Sequence, residues 1–280
     1  MPVSKMLNIG CGGTYHPDWV NLDVAPADPN VLTVNINNGL PFSSESVTAC
    51  YSSHVLEHLD KACARNMVAE CFRVLKHGGV IRLAVPDLEA MVREYLRILD
   101  AVTSGDVQSE LNYDWIMLEL YDQTVRNTAG GDMARFLADL SEKDRSFVRS
   151  RIGVEADGFW APRQALPGTY QLNTLVQKFR LGKLLKRLRE KLAGWLVYLV
   201  AGKAAYKNFK MGSFRASGEI HQWMYDRYSL KRLLENAGFV DVKICTANES
   251  SIPEYEKYSL DVSNGSARKP DSLYIEASKP

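Results

Sequence analysis

Residues 7–13 read Leu7-Asn8-Ile9-Gly10-Cys11-Gly12-Gly13, an apolar strand pattern that runs into clustered glycines. Thirteen residues after Gly10 stands Asp23, closing a second apolar run, Trp19-Val20-Asn21-Leu22-Asp23. Glycine lets backbone approach a ligand where a side chain would clash, and an acid that ends the following strand can accept two ribose hydroxyls. The two features outline a nucleotide-type cofactor site, with Gly10, Cys11 and Gly12 at the turn and Asp23 at the sugar. A Gly-x-Gly cluster is also an ordinary tight turn and Asp23 also an ordinary cap, so the weight falls on what comes next.

Leu40-Pro41-Phe42 precedes a strand-like Val47-Thr48-Ala49-Cys50-Tyr51, followed by Ser52-Ser53-His54-Val55-Leu56-Glu57-His58-Leu59. A helix is predicted from Asp60, its N-cap candidate, to Leu75, with a stop at Gly78-Gly79. A buried strand, Val80-Ile81-Arg82-Leu83-Ala84-Val85, then ends at Pro86-Asp87. In this order the motifs resemble those of the class I S-adenosylmethionine-dependent methyltransferases. They are most similar to a small bacterial group reading LN-G-CGG, LPF, SSHVLEHL, E-RVLK-GG and VPDLE. The resemblance covers Met6 to about Tyr95 and resumes at Glu219. It implies S-adenosyl-L-methionine as cofactor, with Gly10 and Gly12 beside its amino-acid part, Asp23 on the ribose, Asn35 on the adenine amino group, and Cys11 and Ser53 among the other cofactor-binding residues. The chain departs from the family twice: Asn8 stands where an acid is common, and the interval from Gly10 to Asp23 is too short for a full helix between the first two strands.

Alternation of strand and helix patterns up to Val85 predicts an α/β fold, a doubly wound Rossmann-like, mostly parallel sheet with helices on both faces. After Asp87 a helix to about Asp100 leads into a long helical region with a cap-like Ser141-Glu142-Lys143-Asp144 and breaks at Gly130-Gly131 and Pro162 to Pro167. The sheet pattern returns with a helix over Tyr228 to Ala237 and strands over Phe239 to Thr246 and Ser272 to Ala277. The predicted division is a cofactor-binding core, 1–96 plus 219–280, and a helical insertion, 97–218, that covers the acceptor. Ligands of open sheets bind beyond the carboxyl ends of the strands. That places Gly10 to Gly12, Asp23, Ser53, His54 and Asp87 along one edge.

Transfer of a methyl group to a hydroxyl requires alignment, exclusion of water and removal of a proton. Histidine is the natural base, because its unperturbed pKa lies near neutrality. Of the five histidines, His54 follows the fourth strand, His58 lies one turn further and His221 sits in the polar-aromatic cluster Gly218 to Asp226, making these three the candidate catalytic residues. Asp87, Tyr225 and Tyr15, with His16, are candidates for the acceptor wall, and His77 falls on the far edge. No metal site is expected. Three rival readings stand beside this one: a non-catalytic cofactor-binding module, a nucleic-acid-modifying module, and a zinc peptidase, since His54-Val55-Leu56-Glu57-His58 matches the HxxEH pattern.

Composition fits a soluble cytoplasmic enzyme. The chain has 280 residues, 46% of them apolar, enough for one large core or two smaller ones. Its five cysteines form no close-spaced metal pairs and read as reduced core thiols. There is no leader pattern and no run of apolar residues long enough to span a bilayer. The net charge of +1 hides an asymmetry: Lys178 to Lys210 holds ten Lys or Arg residues and one acid, so this piece carries +9 and the remainder −8. Leucines and Trp195 recur there at helical spacing beneath the cations. This is an amphipathic helix suited to an anionic membrane on the inner face or to packing within the insertion, and poorly suited to nucleic acid. Similar bacterial sequences belong with surface-polysaccharide or secondary-metabolite synthesis, so the expected acceptor is a small molecule or glycan bearing a sugar hydroxyl.

Overall fold

The computed structural model describes residues 5–26, 28–160 and 174–280, with the side chains of 174–187 excepted. The opening apolar run forms β1 (Met6–Ile9) and the run before Asp23 forms β2 (Val20–Asp23). They are followed by β3 (Leu32–Thr33), β4 (Val47–Ser53), β5 (Leu75–Pro86), β6 (Val240–Cys245), a two-strand ribbon of β7 (Val262–Ser263) and β8 (Ser266–Ala267), and β9 (Ser272–Ser278). The main sheet has seven strands in the order β3-β2-β1-β4-β5-β9-β6. Its first five are parallel, and β9 lies antiparallel between β5 and β6. This is a Rossmann-like, mostly parallel sheet. The central strands are covered on both faces, which is why Val80 to Pro86 is buried at every position rather than at alternate ones.

Asp60 caps α1 (Lys61–Val74) through bonds from the Ala62 and Cys63 N–H groups, as its position predicts. Ala64, Met67, Val68, Cys71 and Val74 recur at helical spacing and bury one face of α1 against the sheet. β5 begins at Leu75, five residues before the predicted strand, because Leu75 already pairs with Val47. The two glycines serve a bend inside that strand: Gly78 has φ +74°, and a Cβ on Gly79 would lie 2.9 Å from the Lys76 carbonyl oxygen. No helix occupies 10–19, in keeping with the short interval. Buried Asn8 holds that loop down, donating to the Thr14 carbonyl (3.0 Å) and to Asn21 Oδ1 (3.1 Å). Asn21 in turn donates to the His16 and Trp19 carbonyls.

Beyond β5 come α2 (Leu88–Thr103), α3 (Glu110–Val125), α4 (Gly131–Asp139), α5 (Arg145–Ile152), α6 (Val154–Trp160) and α7 (Thr174–Arg215). The predicted break at Pro162 to Pro167 lies outside the described residues. Trp115, Met133, Leu137, Val148 and Ile152 form a separate core among these helices. α8 (Arg227–Asn236) follows, opened by a reciprocal capping box between Asp226 and Ser229.

Arg82, fully buried at the centre of β5, ties the C-terminal loops to the sheet. It pairs with Asp261 (2.7 Å) and Glu276 (2.9 Å) and donates to the carbonyls of Thr246, Ala247 and Glu249. Asp261 also accepts from the Tyr51 and Tyr255 hydroxyls. All three charges are thereby paired and their remaining hydrogen-bonding positions filled, the condition under which buried ions are tolerated.

Candidate functional site

The glycine turn after β1 is built on conformations that favour glycine. Gly10 has φ +69° and Gly12 φ +51°, and a Cβ on Gly10 would stand 2.3 Å from Val55 Cγ2, whereas at Gly12 and Gly13 nothing lies within 4 Å. One glycine thus permits close packing below the turn, and the others leave its upper face open to a ligand. The Asp23 carboxylate fixes the turn, accepting from Gly12 N–H at 2.9 Å and Ala25 N–H at 2.8 Å. A carboxylate offers about four acceptor positions, so it retains capacity for a diol.

Two cavities meet at this edge and share Gly10 and His54. One, of about 500 Å³, is walled by Asp23, Val24, Val34, Asn35, Val55 and His58. The other, of about 250 Å³, lies over Asn8, Cys11, Gly12, Ser53 and Tyr274. Together they form a trough from the end of β2 to the ends of β4 and β9. The donor set fits a ribose-bearing cofactor: a glycine cradle, a carboxylate at the sugar position and apolar walls flanking a polar Asn35. Asn35 Oδ1 accepts from Asn37 N–H and caps a single turn, and the residue remains on the trough wall.

The three histidines surround Glu57. His54 ends the β4 segment in a left-handed conformation (φ +53°), with Nε2 2.8 Å from Ser272 Oγ and Nδ1 3.3 Å from Glu57 Oε1. His58 stacks edge-on against His221 at 4.8 Å between ring centres. The Ile220 carbonyl lies 3.1 Å from His58 Nδ1, and since a carbonyl only accepts, Nδ1 carries the proton and Nε2 presents a lone pair. Glu57 is fully buried among them, with neither carboxylate oxygen hydrogen-bonded among the described residues. Burial opposes its ionisation, but His54, His221 and His58 outweigh that and hold the carboxyl down to about 2. Burial pushes the His221 imidazole down to about 3, with Glu57 opposing. It is therefore neutral and a weak base at physiological pH.

Other candidates take different places. Asp87 caps α2 through Ala90 N–H and lines neither trough cavity. Tyr225 is buried in the main core, where burial raises its hydroxyl to about 12. Tyr15 donates to Asp28 Oδ2 at 2.7 Å, and its ring lies outside both cavities. The zinc-peptidase pattern needs its histidines one turn apart on a regular helix. Here His54 belongs to a strand end and 56–58 form a single 3-10 turn. The group among the described residues whose donor atoms could together accept a metal ion is instead Glu57, His58 and His221, within 4.8 Å of one another.

Sequence reasoning did not reach Glu155, Arg268 and Lys269, which close the smaller cavity, Lys269 Nζ lying 2.7 Å from Glu155 Oε1. A cationic pair directly before the last strand was the available signal. Nor did it reach Ala216, Ser217 and Gln222 on the larger cavity.

A family model described as "Methyltransferase domain" matches residues 17–83, from just before β2 into β5. No curated protein matches the chain. Among solved structures, the chain is similar to a SAM dependent methyltransferase from Archaeoglobus fulgidus at 12% identity, over 99% of this chain and 86% of that one, with a TM-score of 0.38. It is similar to a Haemonchus contortus phosphoethanolamine N-methyltransferase 2 solved with S-adenosyl-L-methionine, at 10% identity over 99% and 49%, TM-score 0.36. It is also similar to a chain in the Haloferax volcanii complex of the Trm112 methyltransferase activator, at 23% identity over 33% and 50%, TM-score 0.26. The match spans only half the length of the Haloferax and Haemonchus chains.

Proposed function

We propose that this chain is an S-adenosylmethionine-dependent methyltransferase that methylates a hydroxyl of a sugar or glycan. One observation carries the reading: Gly10, Asp23 and Asn35 line the same cavity as His54 and His58, with Glu57 buried behind the two histidines. A cofactor cradle and a proton acceptor thus share one cavity. The match to a methyltransferase domain over 17–83 takes in Asp23, Asn35 and 54–58, though not Gly10, and supports the same reading.

Gly10, Cys11 and Gly12 would seat the amino-acid end of the cofactor and Asp23 its ribose, with Asn35 at the base and Ser53 on the wall of the smaller cavity. Bound S-adenosylmethionine supplies a methyl group already made electrophilic by its sulfonium, so the protein's task is to align the acceptor oxygen and take its proton. Of the three histidines, His58 is suited to that task. With Nδ1 committed to the Ile220 carbonyl, its Nε2 is the nitrogen left to accept, whereas His54 Nε2 is engaged by Ser272 and His221 is held neutral by burial. His58 Nε2 would take the proton that the acceptor hydroxyl gives up on methylation. The resulting imidazolium lies against the ionised Glu57, which offsets its charge. His54 and His221 then act as positioning residues that fix Glu57 and the His58 ring. Residues 216–218 and Gln222, at the return from the helical region, wall the acceptor side.

The test is methyl transfer from methyl-labelled S-adenosylmethionine to polyhydroxylated acceptors. His58→Ala should lower the transfer rate about 10²–10⁴-fold and leave S-adenosylhomocysteine affinity within a factor of about two. Full-rate transfer by His58→Ala removes the base assignment, and no binding of S-adenosylhomocysteine by the wild-type chain removes the function.

A further inference from the structure

The +9 segment is not a single rod. α7 breaks at Gly202, whose φ of 79° and ψ of −176° are non-helical, and its two arms fold back on one another. Tyr198 meets Tyr206 edge-on at 6.1 Å between ring centres, and a Cβ on Gly194 would lie 2.9 Å from Tyr206 Cε2. Tyr206 and Phe209 thus pack into the notch that Gly194 leaves open. Residues paired across the fold are roughly equidistant from Gly202, which makes the element an antiparallel hairpin with Gly202 at its apex.

The first arm is apolar and exposed up to the turn. Leu192, Trp195, Leu196, Tyr198 and Leu199 are each about half exposed, and Val200 is 87% exposed. These are the large side chains that an insertion helix would bury if its stripe faced its own core. Trp115 and the residues packed with it form that core without them. Exposed Lys191, Lys203, Lys207 and Lys210 flank the apolar tip, and Glu190 is the one acid between Lys178 and Lys210. Among the described residues no helix is long and apolar enough to cross a membrane.

We propose that this hairpin docks the protein on an anionic bilayer, its tip seated at the boundary between head groups and acyl chains and its lysines among the anionic head groups. Apolar tip, interfacial Trp and Tyr, and a cationic surround are the combination that a charged lipid interface rewards, with anchoring shallow and reversible. The second arm ends at Arg215, and Ala216, Ser217 and Gly218 directly line the larger trough cavity. Docking would therefore hold the trough mouth one helical arm, roughly 20 Å, from the inserted tip, within reach of a glycan that projects from the bilayer. That the acceptor is carried by the same bilayer, as a lipid-linked glycan, rests on the methyltransferase reading; the docking itself does not.

The full chain is sedimented at low salt with vesicles of phosphatidylcholine alone and of equal parts phosphatidylcholine and phosphatidylglycerol. Binding is expected to the anionic vesicles only, with loss on added salt. Leu199→Asp with Val200→Asp, and separately Lys203→Glu with Lys207→Glu, should each weaken it by about tenfold or more while S-adenosylhomocysteine affinity stays unchanged. All four positions are exposed, so the fold tolerates both variants. No vesicle binding at low salt, undiminished binding by both variants, or a tip-dependent dimer or RNA complex in place of vesicle binding would each overturn the proposal. Vesicle binding without cofactor binding would leave docking standing and remove the methyltransferase reading.

Discussion

Asp23→Ala separates the ribose role of Asp23 from its structural one. In the free protein the carboxylate accepts two backbone N–H groups, from Gly12 at 2.9 Å and Ala25 at 2.8 Å. With about four acceptor positions on a carboxylate, about two remain for the ribose hydroxyls. Hydrogen bonds to a charged group contribute about 1.5–3 kcal/mol. Asp23 is half-exposed, so solvent weakens each bond toward the low end, and two of them together come to about 3 kcal/mol at most. The variant should bind S-adenosylhomocysteine about 10- to 150-fold more weakly by titration calorimetry. Losing the two exposed backbone bonds costs about 1–2 kcal/mol of stability, too little to unfold the domain. Asp23→Asn keeps one acceptor oxygen and should fall between wild type and Asp23→Ala. Asp28→Ala is the control, since Asp28 bonds Tyr15 and lines neither cavity. A folded Asp23→Ala variant with unchanged affinity would refute the placement of the sugar.

Gly10→Ala forces a methyl to within 2.3 Å of Val55 Cγ2 at φ +69°, and should cost about 1–3 kcal/mol of stability together with cofactor binding; adding Val55→Ala should restore part of the loss in a thermal melt. Arg82→Met strands two buried carboxylates and should destabilise by about 3–5 kcal/mol, lowering Tm by roughly 10 °C in calorimetry; a shift of a degree or two would show that the network is dispensable. His221 has its pKa lowered from 6.5 to about 3, so between those values the unfolded chain binds the extra proton and stability falls as pH falls. From pH 6.5 to 5, where Glu57 contributes little, this amounts to about 1.5–2 kcal/mol, and His221→Gln should remove it in urea titrations at the two pH values; an equal pH slope in both proteins would contradict burial of a neutral His221.

The sheet was legible because its strands are short apolar runs bounded by glycine, proline and polar residues, and Asp60 announces its helix by capping chemistry; Asp87, read as an acceptor-wall residue, and Asp226 proved to be caps only in the fold. β3 was not, since two residues carry no period. The early start of β5 was hidden because Leu75-Lys76-His77-Gly78-Gly79 looks like a turn, and only pairing with Val47 makes it strand. At the site, Gly10 and Asp23 are readable because backbone conformation restricts the residue type. The environment of Glu57 and the closure by Glu155, Arg268 and Lys269 depend on side chains far apart in sequence, and no local pattern encodes them. The apolar stripe of 188–200 was readable as amphipathic, but whether it faced inward turned on Gly202, an unremarkable residue in one dimension.

The neck of the helical region has a consequence of its own. The chain leaves the sheet at Asp87 and comes back at Tyr225, and these residues form a backbone bridge, with Leu88 N–H donating to the Tyr225 carbonyl at 3.0 Å. Departure and return are thus clasped together whatever lies between. The entropy of closing such a loop grows only by about 0.6 kcal/mol for each doubling of its length. Helices can therefore be gained, lost or exchanged beyond the clasp with little penalty to the sheet. Evolution can then change what the protein recognises by replacing one contiguous cassette, while the strand ends that hold Gly10 and Asp23 are inherited unaltered.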